Sequence, residues 1–148
     1  MKSIVILFTL LITLVNTMPN AIATEKTLPL CASSPNCVSS QASSTDTVHY
    51  IPPFSIKGDV NNAWEALKNT LKNQPRTLIT HSDEISLHAE ATTRILRFVD
   101  DLDAILDREA KLIHIRSASR VGYSDLGVNR NRIEKLRKLL LQQNVIAS

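Results

Sequence analysis

The spacing of apolar residues predicts the first element, an amphipathic helix, after residue 59. Four apolar residues recur at intervals of three and four positions: Val60, Trp64, Leu67 and Leu71. This is the period of a helix that buries one face. Asp59 is a residue type that caps helix starts, and Pro75 cannot continue a helix. The helix is therefore predicted to lie between these two residues.

Between residues 76 and 120 the apolar positions follow a period of two, which is typical of strands that bury one face. In residues 85 to 91, apolar side chains alternate with Ser86, His88 and Glu90. Further strand-like runs occur at residues 94 to 101, 102 to 107 and 111 to 119. Turns are predicted at residues 82 to 83 and 107 to 108. The pattern indicates about four antiparallel strands.

A second amphipathic helix is predicted near the end of the chain. Its apolar stripe consists of Ile133, Leu136, Leu139 and Leu140. Asn131 and Glu134 have the spacing of a capping box at its start. The order of elements predicts an α+β domain, an antiparallel sheet of about four strands with two helices packed on one face. The other face would be polar, and its candidate residues are His88, Glu90, Arg97, His114 and Arg116.

The first 23 residues have the pattern of an export signal. Lys2 supplies a positive start, residues 4 to 15 form an apolar run, and Ala21 and Ala23 form a small-residue cleavage pattern. A retained membrane anchor is the alternative, but the run is shorter than the roughly 20 apolar residues that span a bilayer. Cleavage after Ala23 would leave an exported protein, periplasmic or secreted.

The chain contains two cysteines, Cys31 and Cys37, shortly after the export signal. Outside the cytosol, two thiols this close are predicted to form a disulfide around a short loop. Lipid attachment at Cys31 is an alternative that the large Leu30 before it disfavours. A metal site would need two further ligands, and His49 is the one nearby candidate, so no metal is predicted.

These patterns divide the chain into three parts and predict a single folded domain. Residues 1 to 23 are the cleaved signal. Residues 24 to 58 hold the disulfide loop and a Ser-, Thr- and Pro-rich extended segment. Residues 59 to 148 form the α+β core. The oligomeric state is not predicted.

Charge is unevenly distributed along the chain, although 17 Lys and Arg against 14 Asp and Glu give a net charge of only +3. Residues 83 to 109 are rich in acidic side chains and residues 111 to 138 in basic ones. A basic block can indicate nucleic-acid binding. However, an exported chain rarely meets nucleic acid, and only 4% of its residues are aromatic groups that could stack on bases. No nucleic-acid partner is predicted.

The densest polar stretch is RSASRVGYSDLGVNRNR, residues 116 to 132. Two of its arginines end the last predicted strand and two begin the final helix. Guanidinium groups and helix N-termini both attract anions. The stretch therefore predicts a site for an anionic small molecule, a lipid headgroup or a glycan acid. Its candidate binding residues are Arg116, Ser117, Ser119, Arg120, Tyr123, Asp125, Asn129, Arg130 and Arg132.

A structural role for the same arginines is equally open, because they can pair with nearby carboxylates. The candidate partners are Asp100, Asp101, Asp103 and Asp125. In that case the arginines would hold a turn without touching a ligand.

Two further functions are alternatives to anion binding. A hydrolase could use Ser117 or Ser119 with His114 and Asp125, but the G-x-S-x-G elbow and a recognisable oxyanion element are missing. An interaction module of the cell envelope could dock a protein or an anionic membrane surface through the polar sheet face or through the basic helix, to which Lys135, Arg137 and Lys138 add charge. No cofactor signature is present in the sequence, and none is predicted. The favoured function is a non-catalytic binding module for an anionic ligand or envelope component.

Three segments resemble a known family. They read C-x-x-S-P-N-C-V-S-S at residues 31 to 40, F-V-D-D at 98 to 101, and R-S-x-S-R-x-G-x-x-D-x-G-x-N-R-x-R at 116 to 132. Together they resemble the domain of unknown function numbered 1499, which occurs in exported or membrane-attached bacterial proteins and in plant plastid proteins. Ala32 departs from the proline that is common after the first cysteine of that family. The resemblance implies the domain limits and marks the nine candidate residues as motif positions, without implying a reaction.

Export should remove residues 1 to 23, so that the mature chain begins at Thr24. Mass spectrometry of the exported protein would measure this. Ala23→Leu should block cleavage because the site requires a small side chain, whereas Ala32→Leu should leave cleavage unchanged. An exported wild-type chain that keeps its first 23 residues would contradict the prediction.

Overall fold

Six strands and two helices form the part of the chain that the computed structural model describes, residues 27 to 148. The strands are β1 (Cys37–Ser39), β2 (Phe54–Ser55), β3 (Thr77–Ser82), β4 (Ser86–Thr92), β5 (Val99–Asp107) and β6 (Leu112–Ser119). The helices are α1 (Val60–Lys72) and α2 (Val128–Gln142). The predicted export signal and its cleavage site lie outside the described residues.

The strands form one antiparallel sheet in the order β1, β6, β5, β4, β3, and β2 also pairs with β6. The predicted α+β class is confirmed, but the prediction of about four strands is wrong. β1 and β2 come from the extended segment before residue 59. They are three and two residues long, which is too short for a period of two to be visible. Both pair along β6, β1 near its end and β2 near its start.

The predicted strands at residues 94 to 101 and 102 to 107 are also corrected. β5 runs without a break from Val99 to Asp107, and the residues before it form a loop. Thr93 and Phe98 close this loop reciprocally, since the amide of Thr93 donates to the carbonyl of Phe98 and the amide of Phe98 to the Thr93 hydroxyl. Arg97 lies inside the loop with φ 55°, so its predicted place on the polar sheet face is wrong.

Alternation along the strands separates buried from polar positions as predicted. In β6, Ile113, Ile115 and Ser117 are buried, while His114 and Arg116 occupy the alternate positions. His88 and Glu90 likewise alternate with buried residues in β4. The four remaining candidates, His88, Glu90, His114 and Arg116, therefore lie at the alternate strand positions predicted for the polar face.

One cluster of buried apolar side chains joins the helices to the sheet. It includes Trp64 and Leu67 of α1, Ile133 and Leu136 of α2, and Leu102 of the middle strand β5. The two helices contact each other, α1 also contacts β3, and α2 contacts β6 and β1. Neither helix has the length and apolar content that crossing a membrane requires.

An aspartate lies at the start of each helix and accepts hydrogen bonds from backbone amides there. Asp59 caps α1 as predicted, and its carboxylate accepts a hydrogen bond from the amide of Asn62 at 2.8 Å. The capping box predicted at Asn131 and Glu134 is wrong, because α2 already begins at Val128, after Gly127 in the left-handed conformation. Asp125 accepts from the amides of Gly127 and Asn129 at 3.0 and 2.7 Å. It therefore satisfies amides that a helix start leaves without helical partners.

The predicted disulfide between Cys31 and Cys37 is present, with an S–S distance of 2.03 Å. It closes the loop that leads into β1. The loop is also connected to the next segment through His49, whose ring lies between two oxygen atoms. Nδ1 is 2.7 Å from the carboxylate of Asp46, and Nε2 is 3.1 Å from the carbonyl oxygen of Ser34.

Both neighbours of His49 are acceptors, so the ring can donate to both only as imidazolium. The side-chain hydrogen bond with Asp46 is the largest influence that raises the pKa of His49, and the carbonyl of Ser34 adds to it. The same hydrogen bond lowers the pKa of Asp46. The pair therefore favours the state in which both groups are charged.

This pair should stabilise the domain only over a limited pH range. A raised histidine pKa contributes stability that is complete below about 6.5 and is lost as the pH rises. A lowered aspartate pKa contributes stability that is lost as the pH falls below about 3.9. His49→Gln should therefore lower the melting temperature most near pH 5 to 6, with a smaller difference from wild type near pH 8.

Thermal unfolding across this pH range would test the pair. His81→Gln, at a mostly exposed ring, is the matched control and should change the melting temperature little. A difference between His49→Gln and wild type that grows with rising pH would contradict the assignment.

Candidate functional site

A buried polar network lies beneath the stretch from residue 116 to 132. Its centre is Asp100, which is 1% exposed. The guanidinium of Arg132 donates from Nη2 to the Asp100 carboxylate at 2.5 Å. Its Nη1 donates to the Asn129 side-chain oxygen at 2.7 Å and to the Ser117 hydroxyl at 2.9 Å. The arginine is therefore held by three side chains.

Asn129 extends this network to the loop before α2. Its buried side-chain amide donates to the carboxylate of Asp125 at 2.8 Å, to the hydroxyl of Ser119 at 2.9 Å and to the carbonyl of Asn36 at 3.0 Å. The Asn36 side chain in turn donates to the carbonyl of Gly122 at 2.7 Å. Five of the nine candidate binding residues are thus joined to one another inside the protein, namely Ser117, Ser119, Asp125, Asn129 and Arg132.

Arg116 and Arg120 lie on the opposite face of the sheet from Arg132. Arg116 donates to Asp103 at 2.9 Å, and Asp103 also accepts from the Nδ1 of His88 at 2.7 Å if that nitrogen is protonated. The Nε of Arg116 is buried and has no hydrogen-bond partner among the described residues.

Arg120 lies between two carboxylates. It donates to Asp101 at 2.7 Å and to Glu90 at 2.5 Å. These hydrogen bonds, Asp101 first, raise the pKa of the guanidinium above its ordinary value. The structure therefore pairs this arginine with carboxylates, as the structural alternative expects.

The four arginines of the stretch do not converge on one point. Arg130 turns toward the extended segment and donates to the carbonyls of Val48 and Tyr50, both at 2.9 Å. Tyr123 is 74% exposed at the loop surface. Arg116 and Ser117 are consecutive on β6 and face opposite sides of the sheet. Arg132 donates to Ser117, so the sheet separates Arg132 from Arg116.

The residue types of a hydrolase triad do not come together either. Ser117 and Ser119 share one side of β6, whereas His114 lies on the other side, with its Nδ1 3.3 Å from the hydroxyl of Ser40. The carboxylate of Asp125 is engaged by Gly127 and Asn129. A relay from an aspartate through this histidine to either serine is therefore not formed.

One set of three metal-ligand types is close together among residues 27 to 148. His88, Glu90 and Asp101 can bring ligand atoms within 4.8 Å of one another. Arg120 already donates to both carboxylates, so a guanidinium holds the position that a cation would take. We assign no metal to this set.

A cavity of about 400 Å³ opens beside the buried network, between α2 and the loop after β4. Four cationic residues line it: Arg76, Arg94, Arg132 and Lys135. No aspartate or glutamate of the described residues lines it. We call this the cationic cavity. Of the nine candidate residues, it includes Arg132.

A second cavity, of about 480 Å³, adjoins the first one and shares Thr93, Arg94 and Val128 with it. Its wall includes the apolar side chains of Ile95, Leu96, Phe98, Val121 and Leu126, together with Asp100, Ser119 and Asp125. We call this the apolar cavity. Its apolar residues come from the loop after β4 and the loop after β6.

Sequence reasoning missed both cavities because their walls are assembled by strand pairing. Thr77 at the start of β3 pairs with Ala91 near the end of β4, which brings Arg76 next to the loop that carries Arg94. The Nε of Arg76 donates to the carbonyl of Thr92 at 3.2 Å. No local pattern indicates that these arginines meet the final helix.

The fold and these contacts define a small disulfide-containing α+β domain with a polar network beneath one end of its sheet. The chain belongs to the family described as proteins of unknown function, DUF1499, whose sequence profile matches residues 27 to 140. This confirms the resemblance found in the sequence. Comparison with curated proteins and with solved structures gives no significant match.

The three motif segments that carry this resemblance meet in the structure. Asp100 and Asp101 of the second segment are consecutive on β5 and face opposite sides of the sheet. Asp100 forms an ion pair with Arg132, and Asp101 forms one with Arg120. Both arginines belong to the third segment. Asn36 of the first segment bonds to the third through its carbonyl and its amide. The motif residues therefore share a structural role in joining these segments.

Arg132→Leu should strongly destabilise the domain, because it leaves the buried carboxylate of Asp100 without its cation. Breaking a buried pair in this way costs about 3 to 5 kcal/mol. Urea unfolding would measure the free-energy difference. Arg120→Leu, which breaks a more exposed pair, should cost much less. Similar losses for the two variants would contradict the central role of Asp100.

Proposed function

We propose that this domain is a non-catalytic binding module whose ligand carries an anionic group, held in the cationic cavity. The observation that carries the proposal is the composition of the wall, four cationic side chains and no carboxylate. Like charges gathered in one cavity repel one another, and an anion relieves that repulsion. A carboxylate, phosphate or sulfate group has the required charge.

The cationic side chains in the wall differ in how far they are already engaged. Arg132 is held by Asp100, and Arg76 uses its Nε to bond the backbone. Arg94 and Lys135 are exposed and form no side-chain hydrogen bond or ion pair with any described residue. These two are the groups that we expect to bind the ligand.

The first turn of α2 adds a second attraction. Val128 and Asn131 of that turn line the cationic cavity, so it lies near the positive end of the helix dipole. An anionic group there would interact with this end and with Lys135 one turn further along. The proposed binding site is thus the cationic cavity and not the nine residues predicted from the sequence. Arg132 is the one residue that belongs to both groups.

We also propose that both helices cover the same face of the sheet and that the protein is exported. The shared cluster of α1, α2 and one set of alternate sheet positions supports the first statement. The N-terminal pattern and the disulfide, which persists in oxidising compartments, support the second. The ligand would then be a component of the cell envelope or of its surroundings.

Arg137 does not supply a free docking group for the alternative of a protein-interaction helix. Its guanidinium lies 4.7 Å from the centre of the Phe54 ring and donates to the carbonyls of Pro52 and Pro53. We therefore favour the cationic cavity over the basic face of α2.

Inorganic phosphate or sulfate should raise the melting temperature, because a ligand that binds only the folded state stabilises it. At a concentration of 100 times Kd the gain is about 2.7 kcal/mol. Arg94→Gln and Lys135→Gln should each reduce the shift markedly. Thermal unfolding with and without phosphate, at an ionic strength matched with chloride, would measure it.

Lys138→Gln is the matched control, since Lys138 is exposed on α2 and does not line the cavity. It should keep the phosphate shift of the wild type. No shift in wild type, or an equal loss in all three variants, would refute the proposed site.

A further inference from the structure

We infer that the anionic group is the headgroup of a lipid in a bilayer, and that the two loops around the apolar cavity insert into the bilayer surface. This inference rests on the proposed function and names the source of its ligand. We call the exposed apolar side chains of the two loops the apolar rim. The rim consists of Ile95, Leu96, Phe98, Val121, Tyr123 and Leu126.

The first observation is the concentration of apolar residues at these loops. Of the ten large apolar side chains that are exposed among residues 27 to 148, seven belong to the two loops and the first residue of α2. Single exposed apolar residues are ordinary on protein surfaces. A contiguous group marks a surface that contacts another molecule or a membrane.

The topology places the rim and the cationic cavity at the same end of the molecule. Thr92 at the end of β4 pairs with Val99 at the start of β5, and Asp100 pairs with Ser119 at the end of β6. Both loops therefore lie at the same end of the strands. The two cavities also share Arg94, so a headgroup at that arginine would have apolar side chains beside it.

The charge of this end complements an anionic bilayer. Asp125 is the one acidic residue in the two loops, and its oxygens accept hydrogen bonds from Gly127 and Asn129. Asp100 also lines the apolar cavity, but its charge is paired with Arg132. Arg94 and Arg97 flank Ile95 and Leu96 in the sequence RILRF. Cations interleaved with apolar residues can reach headgroups while their neighbours enter the acyl region.

The degree of exposure favours a bilayer over a protein partner. Leu126 is 91% exposed and Ile95 is 87% exposed, so most of each side chain faces solvent although both contribute to the wall of the apolar cavity. To bury a side chain that is this exposed, the partner must contact it on several sides. A bilayer does so without a matching shape, whereas a protein would need a concave pocket for each loop. Tyr123, with an apolar ring and a polar hydroxyl, suits the interfacial layer.

Sedimentation with lipid vesicles tests the inference on the exported, disulfide-bonded chain. Vesicles containing phosphatidylglycerol should bind the protein, and binding should weaken with added salt. Pure phosphatidylcholine vesicles should bind it far less. Ile95→Ser and Leu126→Ser should each lower vesicle affinity by about tenfold or more, given the apolar area that each side chain would bury.

Leu78→Ser is the matched control, because Leu78 is 64% exposed on β3 and belongs to neither loop. It should bind vesicles as the wild type does. Equal losses in Leu78→Ser and Ile95→Ser, or no binding of anionic vesicles by wild type, would overturn the inference. The second outcome would leave a protein partner as the occupant of the rim.

Two further measurements separate this inference from the proposed function. Ile95→Ser and Leu126→Ser should keep the phosphate-dependent rise in melting temperature, since neither removes a cation. Loss of vesicle binding with that rise intact would support insertion of the loops. Dodecyl phosphate below its micelle concentration provides the other arm. Tight binding of this free amphiphile, without binding of vesicles, would overturn the role of the bilayer.

Discussion

The buried carboxylate of Asp100 is the constraint on which this end of the fold depends. A carboxylate inside a protein costs several kcal/mol unless a cation and hydrogen bonds compensate it. The cation comes from α2, and Ser117 and Asn129 orient it. Since β5 is the middle strand of the sheet, one ion pair ties the final helix to the centre of the fold. Displacing the helix along the sheet would leave two charges unpaired.

Alternation along β5 explains why a stretch so rich in arginine forms no single anion site. Asp100 and Asp101 are neighbours in sequence but face opposite sides of the sheet, and each binds a different arginine. Arg120 and Arg132 are thereby separated by the sheet itself. The charge segregation in the sequence, an acidic part followed by a basic part, becomes a set of short ion pairs in the fold. The proposed anion site therefore depends mainly on cations outside these pairs, Arg94 and Lys135.

The elements predicted best from the sequence are those with many repeats of one period. The helix after Asp59 and the alternation in β4 and β6 were predicted in this way, and the disulfide was predicted from the spacing of the cysteines and the expected export. The loop before β5 was mistaken for a strand because Ile95 and Phe98 are apolar, although both are exposed. The spacing of apolar residues in a sequence shows where they occur, but it does not show whether the fold buries them.

In the candidate site, too, the sequence indicated which residues matter but not which partners they contact. The sequence marked Arg132 as a site residue and offered two roles, ligand binding and ion pairing. The structure provides its ion-pair partner, Asp100, which lies on a strand far before it in the chain, β5. Arg76 and Arg94 carried no local signal, because β3 and β4 must pair before these side chains approach α2. Pairing partners of this kind cannot be deduced from spacing.

The loop after β6 reverses the usual arrangement of polar and apolar groups. The carboxylate of Asp125 and the carbonyl of Gly122 accept hydrogen bonds from the buried residues Asn129 and Asn36, whereas Val121, Tyr123 and Leu126 are exposed to solvent. The buried network therefore helps to fix the shape of the loop, while its exposed apolar side chains bury little surface in the fold. Residues that break the usual pattern without stabilising the fold are expected where a surface meets something else. For a loop held this firmly from below, the loss of conformational entropy on contact is small, which favours binding by the exposed side chains.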